Sequence, residues 1–355
     1  MEAEFTAEKE KAAPLSVRGE NGDGAAGMEE RRFREEAPPL DREEVGLYRN
    51  VAEREYHRVD RCSNSRLKEM LKSPAHVRAS IESERAETKA QRLGRLVHAL
   101  VLEPESASGR FDVASRCAGQ TQKEKRCSRA GKIGRIVGKG ETRWFCRAHD
   151  PGEEAGPEYE GTVLKESTYD KGLEAAEAVR SSKAAARLFE GGFAELTALF
   201  RHSETDPDTG VTTELPCKAR IDYLRARGGK ADGSPAALVP ERGVITDLKT
   251  TRDASKRSFR KQLWRRGYFR QLAFYRYALS KLGVKIEECH LVAVETKPPF
   301  GVGIYRLPET TLRAGERQLD DLLARYAACE ASGWWPGYPD EPRDLSLPSW
   351  AFQKL

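Results

Sequence analysis

The run Val244-Ile245-Thr246-Asp247-Leu248-Lys249 sets a carboxylate and an ammonium two residues apart at the end of an apolar stretch. On a strand, side chains two apart share a face, so Asp247 and Lys249 can reach into one site. Upstream, Arg220-Ile221-Asp222 closes another strand-like run with a second acid. Two acids and a lysine on neighbouring strands suit metal-dependent cleavage of a phosphodiester. The acids hold a hard cation through oxygen, and the lysine positions or deprotonates a water and offsets transition-state charge. Alone, an Asp-x-Lys triplet is a weak signal, because surface strands commonly carry charge.

Three other segments must place their residues beside that pair. Leu93, Leu96, Val97, Leu100 and Val101 recur at helical spacing, so residues 89–103 form an amphipathic helix. His98 borders its apolar stripe, as a packed histidine or as a metal ligand. Gly94, one turn earlier, would let another backbone approach closely. Tyr268, Gln271 and Tyr275 follow i, i+3, i+7 on a second helix. There the Gln271 amide could orient a water or a phosphate, with Tyr275 supporting it. Between Arg252 and Arg270 stand 8 Lys/Arg against one acid, Asp253. Such a stretch, with Arg257, Arg260, Lys261, Arg265 and Arg266 as the expected DNA contacts, suits a polyanion.

The order Gly94-x-x-x-His98, Asp222, Asp247-x-Lys249, Gln271-x-x-x-Tyr275 resembles the PD-(D/E)XK nucleases. It is most similar to the RecE-like family, the C-terminal nuclease domain of exodeoxyribonuclease VIII. Tyr56-His57, Ser63-x-Ser65-x-Leu67, Leu102-Glu103-Pro104 and Leu345-Ser346-Leu347-Pro348 extend the likeness over about residues 47 to 351. The resemblance implies an α/β (α+β) fold, a central mixed sheet flanked by helices, with the acids on adjacent strands. It also implies degradation of linear double-stranded DNA from its ends with Mg²⁺ or Mn²⁺, in phage-type recombination. A single-strand-annealing recombinase and a homo-oligomeric ring are the implied partners. His98, Asp222, Asp247 and the main-chain carbonyl of Leu248 would ligand the metal. Lys249 would position the attacking water and Gln271 would steady the site. Glu195 matches a glutamate that is either a ligand or a support. A structure-specific endonuclease or flap nuclease on the same fold, or a catalytically idle DNA-binding recombination protein, are the alternatives.

Two departures from that pattern stand out. Asp222 and Asp247 are separated by a long Gly-rich polar loop, tolerated because closure entropy grows slowly with length. Residues 114–158 form a basic insert holding Cys117, Cys127, Cys146 and His149, with 10 Lys/Arg from Arg116 to Arg147 against Glu124 and Glu141. Three cysteines and a histidine make a tetrahedral zinc site, a knuckle that would hold so short a segment folded. An iron–sulfur cluster is not expected, since Cys289 and Cys329 lie far apart.

The whole chain, 355 residues with a net charge of +5, reads as a soluble globular protein. The first 45 residues carry 13 acids and 7 bases and few large apolar residues, so they should be a disordered acidic arm preceding a nuclease domain at 46–355. No apolar run is long enough to span a bilayer. Seven cysteines without an even framework indicate a reducing compartment, here the cytoplasm. Helices are expected near 65–73, 89–103, 167–189, 255–282 and 309–331, the first capped by Ser65. Strands are expected near 193–202, 211–224, 243–249, 289–296 and 301–306. A hairpin should turn at Asp206-Pro207-Asp208-Thr209-Gly210, and the tail Gly333-Trp334-Trp335-Pro336-Gly337-Tyr338-Pro339 should pack on the body.

Overall fold

The structure, a computed structural model, describes residues 44–83, 87–120, 125–137, 141–227 and 241–346. Most of the acidic arm, the interior of the loop between the two acids and the final Leu347–Leu355 fall outside the described residues.

In chain order, β1 (Gly46–Tyr48) precedes helices α1 (Glu53–Arg58), α2 (Asn64–Met70), α3 (Pro74–Glu82), α4 (Lys89–Leu102) and α5 (Pro104–Arg110). Next come β2 (Phe111–Val113) and β5 (Thr162–Leu164), which pair with each other on either side of the insert, and within the insert β3 (Ile133–Val137) and β4 (Glu141–Phe145). Then come α6 (Glu166–Ser181), α7 (Lys183–Ala186), β6 (Gly192–Thr205), β7 (Thr212–Arg227), β8 (Arg242–Thr251), α8 (Lys256–Arg266) and α9 (Tyr268–Lys281). The fold closes with β9 (Lys285–Glu295), β10 (Val302–Arg306) and α10 (Glu309–Ser332).

The central sheet has 6 strands in the order β1-β6-β7-β8-β9-β10. Strands β8 and β9 are parallel and the other neighbours antiparallel, so the sheet is mixed as expected. Val244 to Leu248 are buried without alternation, which marks β8 as a strand covered on both faces. Helices α9 and α10 cover one face around Phe200, Leu272 and Phe274. Helices α4 and α6 cover the other, where Val97, Val179, Leu248 and Val292 meet.

Local chemistry explains the element ends. Thr88 and Gln91 form a reciprocal capping box at the start of α4. Its buried residues Leu96, Val97, Ala99 and Leu100 are the apolar stripe. Asp206 Oδ1 accepts from the amides of Asp208 and Thr209, and Gly210 takes φ 69°, so the β6–β7 hairpin turns where its residues require. The single helix expected over 255–282 is two helices. Gly267, in the left-handed conformation, caps α8 through its amide to Leu263 and Trp264 and starts α9 on a new axis. The long helix expected at 167–189 likewise ends at Ser181 and continues as a short turn of helix. The first expected helix begins at Asn64, so Ser63 and not Ser65 stands at the cap position. The two serines hydrogen-bond each other at 3.0 Å.

The tail packs on the body. Trp335 meets Tyr326 edge-on at 5.1 Å, and Ala75 donates its amide to the Pro336 carbonyl. Among the described residues no helix is long and apolar enough to cross a membrane.

Candidate active site and Cys/His centre

Glu195, Asp222 and Asp247 stand at one level on three adjacent strands. Pairing of β6 with β7 runs Ala194↔Tyr223 and Leu196↔Ile221, which sets Glu195 opposite Asp222. Pairing of β7 with β8 ends at Tyr223↔Thr246, one step before Asp222 would face Asp247. The ladder opens at this level. The Leu248 amide instead donates to Asp222 Oδ2 at 2.9 Å, and Glu195 takes a left-handed φ of 46°. A glutamate in that region carries strain that the surrounding sheet must hold.

Charge around the acids is arranged in pairs. Asp247 is fully buried, and Lys249 Nζ lies 2.5 Å from its Oδ2. Its Oδ1 is buried without a hydrogen-bond partner. Burial, and next the neighbouring Asp222 charge, push the Asp247 carboxyl well above the usual carboxylate range, against the pull of Lys249. For Lys249, burial works against the charge, but Asp247 and Asp222 outweigh it and the ammonium is held more firmly than usual. Its Nζ also sits 5.3 Å from the centre of the Tyr268 ring.

His98 reaches over from α4. Its Nε2 donates to the Leu248 carbonyl at 2.8 Å, and its Nδ1 lies 3.6 Å from Asp222 Oδ2 and 3.8 Å from Glu195 Oε1. Burial opposes the imidazolium, yet the charge of Asp222 and the contact with Glu195 raise its pKa overall. Because Nε2 carries the proton shared with the carbonyl, a neutral ring turns its Nδ1 lone pair toward the two acids. Glu195 has a lowered pKa: burial would raise it, but His98 and then Arg220 outweigh burial. Arg220 Nε lies 3.5 Å from Glu195 Oε2.

An open cleft of about 790 Å³ leads to this cluster, lined by Gln91, His98, Glu195, Arg220, Asp222 and Gln271 among others. The Gln271 amide donates to the Tyr275 hydroxyl at 2.7 Å on its wall. The donor types here suit a divalent cation, with ligand atoms less tightly gathered than in the Cys/His group. The donors are hard oxygens, one carboxylate oxygen of Asp247 is buried with no hydrogen-bond partner, and a main-chain carbonyl and an imidazole nitrogen stand beside it.

The insert builds a second, different centre. The β3–β4 hairpin carries Cys146 just past its end, and a loop closed by Cys127 N–H to the Gly119 carbonyl brings Cys117 and Cys127 over it. The ligand atoms of Cys117, Cys127, Cys146 and His149 all lie within 4.8 Å of one another. Both Cys117 Sγ and Cys146 Sγ are close to His149 Nδ1, at 3.5 and 3.6 Å. Zinc–sulfur bonds of about 2.3 Å place tetrahedral ligand atoms roughly 3.5–4 Å apart. The amides of Gly119 and Cys146 also point at Cys117 Sγ, as suits a thiolate. Among the described residues this is the group of metal-ligating side chains drawn closest together.

Residues 63–342 match the family described as a PDDEXK-like domain of unknown function (DUF3799). The chain belongs to this family. A crystal structure from Eubacterium rectale, described as that of a candidate exonuclease, is similar to this chain in overall path at 10% identity and a TM-score of 0.44, over 81% of this chain and 90% of that one. Likeness at that level says nothing about the chemistry of either site. No curated protein matches.

For this PDDEXK-like chain, the structure brings His98, Glu195, Asp222, Asp247, the Leu248 carbonyl and Lys249 into one cluster. Gln271 and Tyr275 stand beside it but bond each other. Arg257, Arg260, Lys261, Arg265 and Arg266 lie apart from it, exposed on α8. Gly94 does not admit a neighbouring backbone. A Cβ there would meet the Thr250 hydroxyl at 3.4 Å, an ordinary side-chain contact. The close helix approach lies at Gly172, whose Cβ would stand 2.3 Å from Leu96 Cδ2.

Sequence reasoning passed over Lys218, and it named Arg220 and Tyr268 without giving them a place in the site. The alternation Lys218-x-Arg220-x-Asp222 was the available signal, since residues two apart on β7 share a face as Asp247 and Lys249 do on β8. Lys218 Nζ donates to the carbonyls of Tyr56 and Val59, and both cations lie over the Tyr56 ring.

Proposed function

We propose that this PDDEXK-like protein is a metal-dependent exodeoxyribonuclease of the RecE-like kind that degrades linear double-stranded DNA from its ends. The observation that carries the reading is the alignment of Glu195, Asp222 and Asp247 across three strands, with Lys249 two residues beyond the last acid. Buried carboxylates beside a lysine, at the end of an open cleft, favour phosphate chemistry over a purely structural role for the cluster.

When bound, Mg²⁺ or Mn²⁺ would polarise the scissile phosphate and acidify a water. Asp222, Asp247, the Leu248 carbonyl and His98 Nδ1 would hold the ion, with Glu195 as a further ligand or as the anchor of His98. Lys249, paired with Asp247, would position the attacking water and bring positive charge to the phosphate. The joined Gln271 amide and Tyr275 hydroxyl give the cleft wall a polar group held in one orientation. Arg220 restrains Glu195 and adds positive charge to the cleft.

The Cys/His centre would hold one structural Zn²⁺. Phage-type recombination beside a single-strand-annealing protein, and assembly into a ring, belong to the same reading. Co-purification and sedimentation test those two.

The decisive experiment is digestion of end-labelled linear duplex beside closed circular DNA, with and without Mg²⁺. Loss of label from the linear duplex alone, only with metal, is the expected result. Cutting of the circle would make the protein an endonuclease. Salt-dependent binding without release of nucleotides under any divalent metal would make it an idle DNA-binding protein.

A further inference from the structure

Helix α8 supplies nothing to the acid cluster, yet it begins five residues after β8 ends, and its Gln262 amide donates to the Thr251 hydroxyl at the strand's last residue. Its six cations are all exposed, and none forms an ion pair among the described residues. No acid occurs between Asp253 and Glu287, so nothing in this stretch offsets them. In the middle of this surface stands Trp264, 68% exposed. Its ring lies flat on Phe269, tilted by 8° with centroids 5.6 Å apart, and Phe269 is itself buried. Arg257, Arg260, Lys261 and Trp264 fall at i, i+3, i+4 and i+7 and share one face of the helix. The residue before Phe269 is Tyr268, whose ring Lys249 faces. The exposed indole, framed by cations, thus rests on Phe269, the neighbour in sequence of the tyrosine that Lys249 faces.

A protein partner would need further apolar surface around the indole, and the helix offers cations there instead. A polyanion with exposed flat rings fits both features at once. Paired bases inside a duplex present no free face; an unpaired base does, whatever its sequence. We propose that Trp264, braced by Phe269, is a stacking platform for an unpaired DNA base next to the active site, with the α8 cations holding the phosphates on either side. The inference rests on the nuclease reading, and it adds that the substrate strand is unpaired where it passes α8.

Binding separates the two claims, because it can be measured without cleavage. The full chain is titrated in Ca²⁺ against three labelled probes: a single-stranded oligonucleotide, a duplex with a single-stranded tail, and a blunt duplex. Trp264→Ala should weaken the single-stranded and tailed probes roughly fivefold to a hundredfold, and the blunt duplex much less. Its salt dependence should match the wild type. Trp264→Phe should recover most of the loss, whereas Trp264→Leu, which keeps apolar bulk without a flat face, should not. Replacing Arg260 and Lys261 together by alanine should instead weaken all three probes and flatten the salt dependence.

Wild-type affinity in Trp264→Ala, or an equal loss on all three probes, would overturn the platform and leave the nuclease reading standing. So would a change in self-association or protein capture without a change in DNA binding. A wild-type chain that binds none of the probes would overturn both.

Discussion

The two candidate metal centres are built in opposite ways. The acid cluster is set by the sheet: Asp222 and Asp247 are buried, their strands are covered by helices on both faces, and Lys249 and His98 offset their charge. The Cys/His centre has few apolar neighbours, chiefly the edge-on pair Trp144 and Tyr159 elsewhere in the insert. The buried hydrophobic group at its heart is Cys117, Cys127 and Cys146 themselves. One site has a scaffold that exists before the ion; in the other the ion stands in for a core. Hard oxygen ligands and soft thiolates thus go with two relations between metal and fold.

The largest expected effect is on chemistry without a change of fold. Asp247→Ala and Lys249→Ala should each lower cleavage at least about a hundredfold, while binding to duplex DNA in Ca²⁺ persists. Full Mg²⁺-dependent activity in either variant would end the assignment.

The insert should behave the other way. A zinc-selective chelator, Cys127→Ser or His149→Ala should expose residues 114–161 to protease while the sheet body keeps its circular dichroism. Gly119→Ala should do the same without removing a ligand, since its Cβ would stand 2.6 Å from the Cβ of His149. A metal analysis finding no zinc in the purified wild type would collapse the contrast.

Core truncation reverses that pattern. Phe200 is fully buried against Phe274 and Tyr277. Phe200→Ala should cost about 3–5 kcal/mol of stability in denaturant titrations and leave zinc content unchanged.

A smaller effect should appear in pH dependence. Burial, then the charge of Arg66, lowers the Lys218 amine to about 7 from an ordinary value near 10.5. Between those values the unfolded chain binds the extra proton, so folding stability should rise with pH across that window. The gain should be visible as wild type minus Lys218→Met, and a flat difference from pH 7 to 10 would refute it.

The smallest change is expected at Gly94→Ala. The site in mid-helix favours alanine by about 0.5–1 kcal/mol, and the added methyl meets only the Thr250 hydroxyl. Unfolding midpoints should stay level or rise.

Much of this was legible in the residues. Strands β6 to β9 read clearly because they are long and carry apolar runs, and the β6–β7 turn is written in Asp206 and Gly210, whereas the three-residue edge strand β1 is too short to leave a pattern and was not expected. The gathering of Cys117, Cys127, Cys146 and His149 was legible because thiols and imidazole are rare enough for their spacing to count. The break at Gly267 was not seen, although Arg265-Arg266-Gly267 has the cation-then-glycine form of a helix end. An amphipathic pattern runs on through it, and periodicity alone does not register a change of axis. The opening of the ladder at Asp222 and the left-handed backbone of Glu195 lie beyond any local pattern, because they arise where three strands and a helix meet.

That backbone at Glu195 has a consequence for how this protein would evolve. Glycine or asparagine tolerates the conformation better than glutamate, so a library screened only for heat resistance should drift toward them at this position. The same library screened for turnover should keep the acid. Position 195 would then record, as a divergence between two sets of survivors, where robustness and work pull one backbone in different directions.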